Sequence, residues 1–123
     1  MIGNKGVAKT VVGVENTAKA VGSGSLEVFS TPMMIALMEQ AACVALADVL
    51  EVGQSSVGTQ IAVEHTAASA VGANIVATAT ITAVDGKKIS FEVVANDDKN
   101  QIGKGTHTRF IIDIERFMAK VGN

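Results

Sequence analysis

The longest apolar segment of the chain limits its possible folds more than any other feature. Residues 33–50, MMIALMEQAACVALADVL, are interrupted by only three polar side chains. The preceding Ser-Thr-Pro at residues 30–32 is typical of a helix start, because a hydroxyl can accept free amide hydrogens and proline suits the first turn. We therefore predict a helix over roughly residues 31–50, ending near Gly53 and buried on nearly every side.

A membrane-spanning helix is the alternative interpretation of this segment. A span needs about 20 mostly apolar residues, and ionisable groups within it are rare. Glu39 and Asp48 both fall inside the segment, and its apolar residues are more often alanine than leucine. We therefore expect a buried helix of a soluble domain and no membrane partner.

After this helix the apolar pattern changes to a period of two residues, which is typical of half-buried strands. A weaker alternation at residues 6–14 predicts an earlier strand. The links between the later segments are short and rich in turn residues, so we expect an antiparallel meander. The four later strands are predicted at residues 56–67, 73–84, 87–97 and 102–114.

Alternation also assigns side chains to the two faces of these strands. One face of the first segment carries Val57, Thr59, Ile61, Val63 and His65, and the other carries Gln60 and Glu64. In the last segment His107 and Arg109 lie opposite Thr108 and Phe110.

The order of elements predicts an α+β fold in one domain over residues 1–123, with a long central helix wrapped by a five-stranded antiparallel sheet. The tail at residues 115–123 is expected to add a helical turn. One helix cannot cover both faces of such a sheet, and apolar residues are expected on both faces. A second subunit would cover the remainder, so the sequence predicts a homodimer.

Charge and cysteine content exclude several classes of protein. The net charge is −2, without a cluster of basic residues, which argues against nucleic acid and anionic membranes as partners. The single Cys43 excludes an internal disulfide, and neither histidine has a second at metal-ligand spacing. No metal or redox cofactor is called for. The start MIGNKGVAKT lacks the apolar core of a secretory signal, so a cytoplasmic location is expected.

Glu39 is the first candidate for chemistry, because a carboxylate in an apolar helix must be paired, neutralised or used. Burial would raise its pKa towards the range that suits general acid–base work. The alternative is a helix-surface residue or a structural ion pair. Thr31 lies eight residues earlier, slightly over two turns, and can face the same side of the helix. It is equally suited to cap the helix.

His65 is the other candidate, although a lone histidine at the end of an apolar strand face is more often a satisfied core residue. Cys43 lies one turn after Glu39, so a Cys–His nucleophile is a further possibility. A reactive thiol needs a helix N-terminus or a cationic partner. In the middle of this helix Cys43 is expected to be an inert, small hydrophobic residue.

Four stretches together resemble the hotdog fold and, within it, the fluoroacetyl-CoA thioesterase family. They are LMEQA around Glu39, VGTQIAVEHTAA from Val57 to Ala68, IGKGTHTRF ending at Phe110, and the closing ERFMAKV. The intervals of eight and twenty-six residues between Thr31, Glu39 and His65 are similar to the family's pattern. The resemblance covers the chain from about residue 31 to residue 121.

This resemblance implies hydrolysis of a small acyl-CoA thioester. Thr31, Glu39 and His65 match the catalytic positions, and Gly58 and Arg109 match positions that contact substrate. Arg109 can equally hold a carboxylate across subunits. The fluoroacetate-specific member carries bulky aromatic residues in an N-terminal lid, where residues 1–30 contain a single aromatic residue, Phe29. The implied substrate is therefore a small acyl-CoA in general.

Two other functions fit the same residues. One is a hotdog protein that binds an acyl-CoA or a small apolar acid without turnover. The other is a hotdog acyl-CoA hydratase, but such enzymes usually place their histidine and acidic residue on one local segment. Here Glu39 and His65 belong to different elements.

Overall fold

Strands and helices of the computed structural model, which describes residues 1–122, follow the predicted order apart from one short additional helix before the long one. They are β1 (Lys5–Val11), α1 (Ala18–Val21), α2 (Thr31–Leu46), β2 (Gln54–His65), β3 (Asn74–Asp85), β4 (Lys88–Asn96), β5 (Gln101–Asp113) and α3 (Ile114–Gly122). The helical turn predicted for the tail is α3, and Asn123 lies outside the described residues. The α+β architecture with five antiparallel strands is confirmed.

The order of strands across the sheet differs from the predicted meander. The sheet runs β1-β3-β4-β5-β2, so only β3, β4 and β5 are joined as consecutive hairpins. β2 pairs with β5 at one edge, and β1 pairs with β3 at the other. Helix α2 carries the chain between these edges. Its 16 residues span about 24 Å, enough to cross five strands that lie about 4.8 Å apart.

Helix α2 packs one face on the sheet and exposes the other. The prediction that this helix is buried on nearly every side is therefore wrong for the single chain. The buried face carries Met34, Leu37, Met38, Ala41, Ala42, Ala45 and Leu46. The exposed face is also mostly apolar and carries Met33, Ala36, Cys43 and Val44. The helix ends at Leu46, four residues before the predicted end, because residues 47–49 form a turn.

Small side chains allow this helix to lie close to the strands. Gly6 in β1 sits directly under the helix, where a Cβ atom would collide with the backbone of Ala41 and Ala45. Ala77 and Ala79 of β3 are likewise fully buried. The concave face of the sheet is therefore closed by α2.

The convex face of the sheet is largely polar, contrary to the expectation of apolar residues on both faces. Thr78, Thr80, Ser90 and Glu92 lie between the buried positions of β3 and β4. The argument for a dimer from a two-sided apolar sheet therefore fails. Among the described residues, no helix combines the length and apolar character that a membrane crossing requires.

A β-bulge in β2 changes which side chains point inwards. Pairing with β5 shifts between Gly58 and Gln60, so Thr59 is an extra residue in the strand. Ile61, Val63 and His65 share the inner face as predicted. Gly58, which pairs with the inward-facing Arg109, joins that face instead of Val57.

Candidate active site

Thr31 and His65 are in contact at the start of α2. The Oγ1 atom of Thr31 lies 2.8 Å from Nδ1 of His65. The helix cap is Ser30, whose hydroxyl accepts a hydrogen bond from the amide of Met33. A capping role for Thr31 is therefore wrong, and its hydroxyl remains available to the histidine.

The other ring nitrogen of His65 is buried without a partner. Nε2 has no hydrogen-bond partner among the described residues. Burial lowers the pKa of His65, an effect that the backbone carbonyl of Ala67 partly opposes. The imidazole is therefore neutral near pH 7, with one nitrogen on Thr31 and one left for another group. A histidine satisfied entirely by the core would have no such atom.

A cavity of about 270 Å³ adjoins this pair. Thr31 and His65 line it together with small and apolar residues from α1 and the segments after it and after β2, among them Ala18, Val28, Phe29, Ala67 and Ala68. The cavity can therefore hold a small acyl group beside the hydroxyl and the imidazole.

Glu39 is held by a guanidinium. Its Oε2 atom accepts a hydrogen bond from Nη1 of Arg109 at 3.3 Å, and Nε2 of His107 lies 3.9 Å away. The Glu39 side chain is 40% exposed in the single chain. The Glu39 carboxylate is therefore not enclosed in the core as expected, and it forms an ion pair with Arg109.

Arg109 is fixed by contacts on three sides. Its Nε donates to Oγ of Ser56 at 2.8 Å, and Nη2 donates to the carbonyl oxygen of Ser56 at 3.0 Å. Nη1 also donates to Nε2 of His107 at 3.3 Å. The guanidinium is 8% exposed, so it holds the carboxylate of its own chain. Alternation on β5 had predicted that His107 and Arg109 share a face, but nothing in the sequence indicated Ser56.

Gly58 leaves room for these charged groups. A Cβ atom there would lie 2.6 Å from Oε2 of Glu39 and 3.2 Å from Nη1 of Arg109. Any larger residue would push the carboxylate away. The missing Cβ at Gly58 therefore gives the Glu39 carboxylate its place beside Arg109.

The five predicted site residues form two groups within one chain. Thr31 and Glu39 are about 12 Å apart along the axis of α2, and Gly58 and His65 are roughly 20 Å apart along β2. Reacting atoms must approach to about 3–3.5 Å. One carbonyl group cannot meet both groups of a single chain.

Cys43 lies on the exposed face of α2, not in a buried environment. It lies near the C-terminal end of the helix, whereas reactive cysteines are often found at a helix N-terminus. Within residues 1–122, no three histidine, cysteine, aspartate or glutamate side chains are grouped as metal ligands would be.

Replacing Cys43 by alanine should leave acyl-CoA hydrolysis within about twofold of the parent rate, because the change removes one sulfur atom from an exposed position. Steady-state kinetics of both proteins would check this. A folded Cys43→Ala protein without activity would restore the Cys–His alternative.

Solved structures define the class of protein. A hot-dog-like protein from Thermanaerovibrio acidaminovorans matches with a TM-score of 0.85 and 24% identity, over 99% of this chain and 93% of that chain. A thioesterase superfamily member from Thermus thermophilus matches with a TM-score of 0.90, also at 24% identity, over 98% and 89%. These matches show the fold alone, and the predicted hotdog fold is confirmed.

More similar proteins define the family. A family model described as fluoroacetyl-CoA-specific thioesterase matches residues 12–115. The fluoroacetyl-CoA thioesterase of Streptantibioticus cattleyicolor is 46% identical over 95 residues, which are 77% of this chain and 68% of that protein. A structure of the FlK F36A variant with fluoroacetate and CoA matches at a TM-score of 0.89 and 36% identity, over 95% and 98%. The chain belongs to the fluoroacetyl-CoA-specific thioesterase family.

Proposed function

We propose that this protein is an acyl-CoA thioesterase, which hydrolyses a small acyl-CoA thioester to the free acid and CoA. The observation that carries the proposal is the pair of Thr31 and His65 beside an acyl-sized cavity, with one buried imidazole nitrogen unpartnered. Membership of the thioesterase family supports the same reaction. A binding protein without turnover has no need of an imidazole that is held neutral and partly free.

Glu39 supplies the attacking group. Its carboxylate can attack the thioester carbonyl, expelling CoA thiolate and forming a mixed anhydride that water then hydrolyses. It can instead take a proton from a water molecule that attacks the carbonyl. Both routes give the free acid and CoA and regenerate the carboxylate. The ion pair with Arg109 holds the carboxylate in place for either route.

Negative charge develops on the thioester oxygen during attack and needs hydrogen-bond donors. Thr31 and His65 supply a hydroxyl and an imidazole at one side of the cavity. We propose a backbone amide near Gly58 as a further donor to this oxygen. Arg109 positions Glu39 and is not a free anchor for the substrate.

The substrate is a small acyl-CoA, and the described residues form no dedicated lid over the cavity that receives it. The aromatic side chain of Phe29 is 2% exposed and belongs to the core. The segment GSGSLE at residues 22–27 is exposed and carries only Leu26 as a large apolar side chain. A cavity bounded by such a segment selects by size and not by specific contacts with fluorine.

The functional unit is a homodimer that shares its sites. β2 lies at the edge of the sheet and pairs only with β5 among the described strands, so its other side offers 12 residues of unpaired backbone. The exposed apolar face of α2 lies on the same concave side. Pairing two β2 strands would join the two sheets and bring the separated groups of residues together from different subunits.

We place the two-fold axis of the dimer at Ala62, which defines the residues of the two β2 strands that lie opposite each other. Antiparallel partners must point to the same face, so Ile61 then meets Val63 of the partner subunit on the inner face. The bulge at Thr59 lets Gly58 meet His65 of the partner subunit. Glu39 of one chain thereby lies next to the Thr31–His65 pair of the other.

This register predicts a cross-link at the axis. In a Cys43→Ala background, Ala62→Cys would be the sole thiol and would face its own copy, with Cβ atoms about 4.5–5.5 Å apart, close to disulfide geometry. We expect oxidation to give a covalent dimer on non-reducing gels. Thr106→Cys, on the convex face of β5, is the matched control and should stay monomeric on the gel. A monomer by sedimentation at micromolar concentration would contradict the dimer itself.

Release of free CoA from a panel of acyl-CoA thioesters, followed with a thiol reagent, tests the proposed activity. Turnover of a short acyl-CoA at a catalytic rate supports it. Tight binding without thiol release would identify a binding protein, and addition of water to an enoyl-CoA without thiol release would identify a hydratase. The cytoplasmic location stays a prediction of the sequence.

A further inference from the structure

His107 is buried next to the Glu39–Arg109 pair and has no role in the function proposed above. Its side chain is 1% exposed, and its ring stacks on Phe91 with 5.7 Å between ring centroids. Nδ1 lies 2.8 Å from the carbonyl oxygen of Gln60. Nε2 lies 3.3 Å from Nη1 of Arg109 and 3.9 Å from Oε2 of Glu39.

These contacts determine which nitrogen carries the proton. A carbonyl oxygen can only accept a hydrogen bond, so Nδ1 must donate to Gln60. Nε2 of the neutral ring is then a lone pair, and Nη1 of Arg109 donates to it. Both hydrogens of Nη1 are thereby assigned, one to His107 and one to Glu39. A protonated ring would direct an N–H at a guanidinium that has no acceptor.

The groups that face the ring explain why it stays neutral. Burial is the main cause that lowers the pKa of His107, and the charge of Arg109 on β5 lowers it further. The Gln60 carbonyl on β2 and the Glu39 carboxylate on α2 oppose this effect. Phe91 on β4 contributes no charge.

We propose that His107 is a positioning residue: its Nε2 lone pair fixes the rotation of the Arg109 guanidinium, and through it the position of the Glu39 carboxylate. This inference rests on the thioesterase function proposed above. Ser56 holds the other side of the guanidinium, so His107 and Ser56 together leave it one orientation. The Glu39 side chain is 40% exposed in the single chain, and a displacement of about 1 Å can cost roughly 100-fold in rate.

Two substitutions separate this role from a purely structural one. His107→Gln keeps an acceptor at the distance of Nε2 but loses the donor at Nδ1. His107→Asn keeps the donor to Gln60 but loses the acceptor for Arg109. If His107 positions Arg109, the asparagine variant loses about 10- to 100-fold in kcat with little change in KM, and the glutamine variant recovers most of that loss. If His107 only stabilises β2 through its hydrogen bond to Gln60, the asparagine variant should keep a higher kcat than the glutamine variant. That result would overturn the proposal.

Thr106→Asn is the matched control, because it places the same residue one position away on the exposed face of β5. Its kcat should equal that of the parent. Thermal midpoints of all variants separate lost folding from lost turnover. Equal loss in both His107 variants at unchanged midpoints would also contradict the proposal.

The tautomer of His107 can be determined from ¹⁵N resonances without measuring activity. A failure of this inference can therefore be distinguished from a failure of the proposed thioesterase function. The chain has two histidines, and His65→Gln assigns their ¹⁵N resonances. At pH 7.5 His107 should be neutral with the proton on Nδ1. A ring protonated on Nε2 would overturn the inference even if the protein hydrolyses acyl-CoA.

Discussion

Replacing Glu39 by glutamine should lower kcat for acyl-CoA hydrolysis by about 10²–10⁴-fold, which corresponds to about 2.7–5.5 kcal/mol of transition-state stabilisation. Glutamine keeps the volume beside Gly58 and can still accept from Arg109, but it neither attacks a carbonyl nor takes a proton. The thermal midpoint should change little, because glutamine keeps a hydrogen-bond acceptor for the buried Arg109 guanidinium. Steady-state kinetics with a calorimetric scan of the same preparation measures both quantities.

The matched control is Glu92→Gln, the same change on the exposed convex face of β4. It should keep the parent rate. His65→Ala should lose a similar order of activity to Glu39→Gln, and the double variant should lose less than the product of the two, since groups that act as one unit are not additive. A Glu39→Gln protein that turns over within a few-fold of the parent would end the catalytic role of Glu39.

Local pattern was sufficient to predict most of the fold. Alternation located all five strands, and the hydroxyl–proline start located the first residue of α2. The alternation of apolar residues could not show which strands are neighbours in the sheet. The hairpin turns at residues 86–87 and 97–100 force adjacency, whereas the eight residues between His65 and Asn74 are long enough to carry the chain away from β2. The pairing of β2 with β5 depends on tertiary packing, and no local sequence pattern predicts it.

The candidate site was predictable in its residues but not in its contacts. Spacing along α2 suggested that Thr31 and Glu39 act together, yet each contacts a different strand segment. A run of apolar residues indicated a buried Glu39, although the helix exposes one apolar face. The bulge at Thr59 exchanged Val57 for Gly58 on the inner face. A glycine inside a strand can mark a bulge, but it does not show at which residue the pairing shifts. These are long-range effects of packing, which a local pattern does not contain.

Mixing two inactive variants should restore activity if the site is shared between subunits. In a heterodimer of one Glu39→Gln chain and one His65→Ala chain, one site receives both substitutions and the other receives neither. Co-expression with two different affinity tags and purification on both isolates this heterodimer. We expect it to show about half of the parent activity, because one of its two equivalent sites is intact.

An arrangement within one chain gives the opposite result. Each site of the heterodimer would then carry one substitution, and the activity would stay at the level of the two single variants. A heterodimer of Glu39→Gln with the Glu39→Gln/His65→Ala double variant is the control, since all of its sites lack the carboxylate in either arrangement. Recovery in the first heterodimer and none in the control would assign Glu39 and His65 of each working site to different subunits. Because Thr31 contacts His65 within one chain, and Gly58 and Arg109 contact Glu39 within one chain, the same result would assign all five residues.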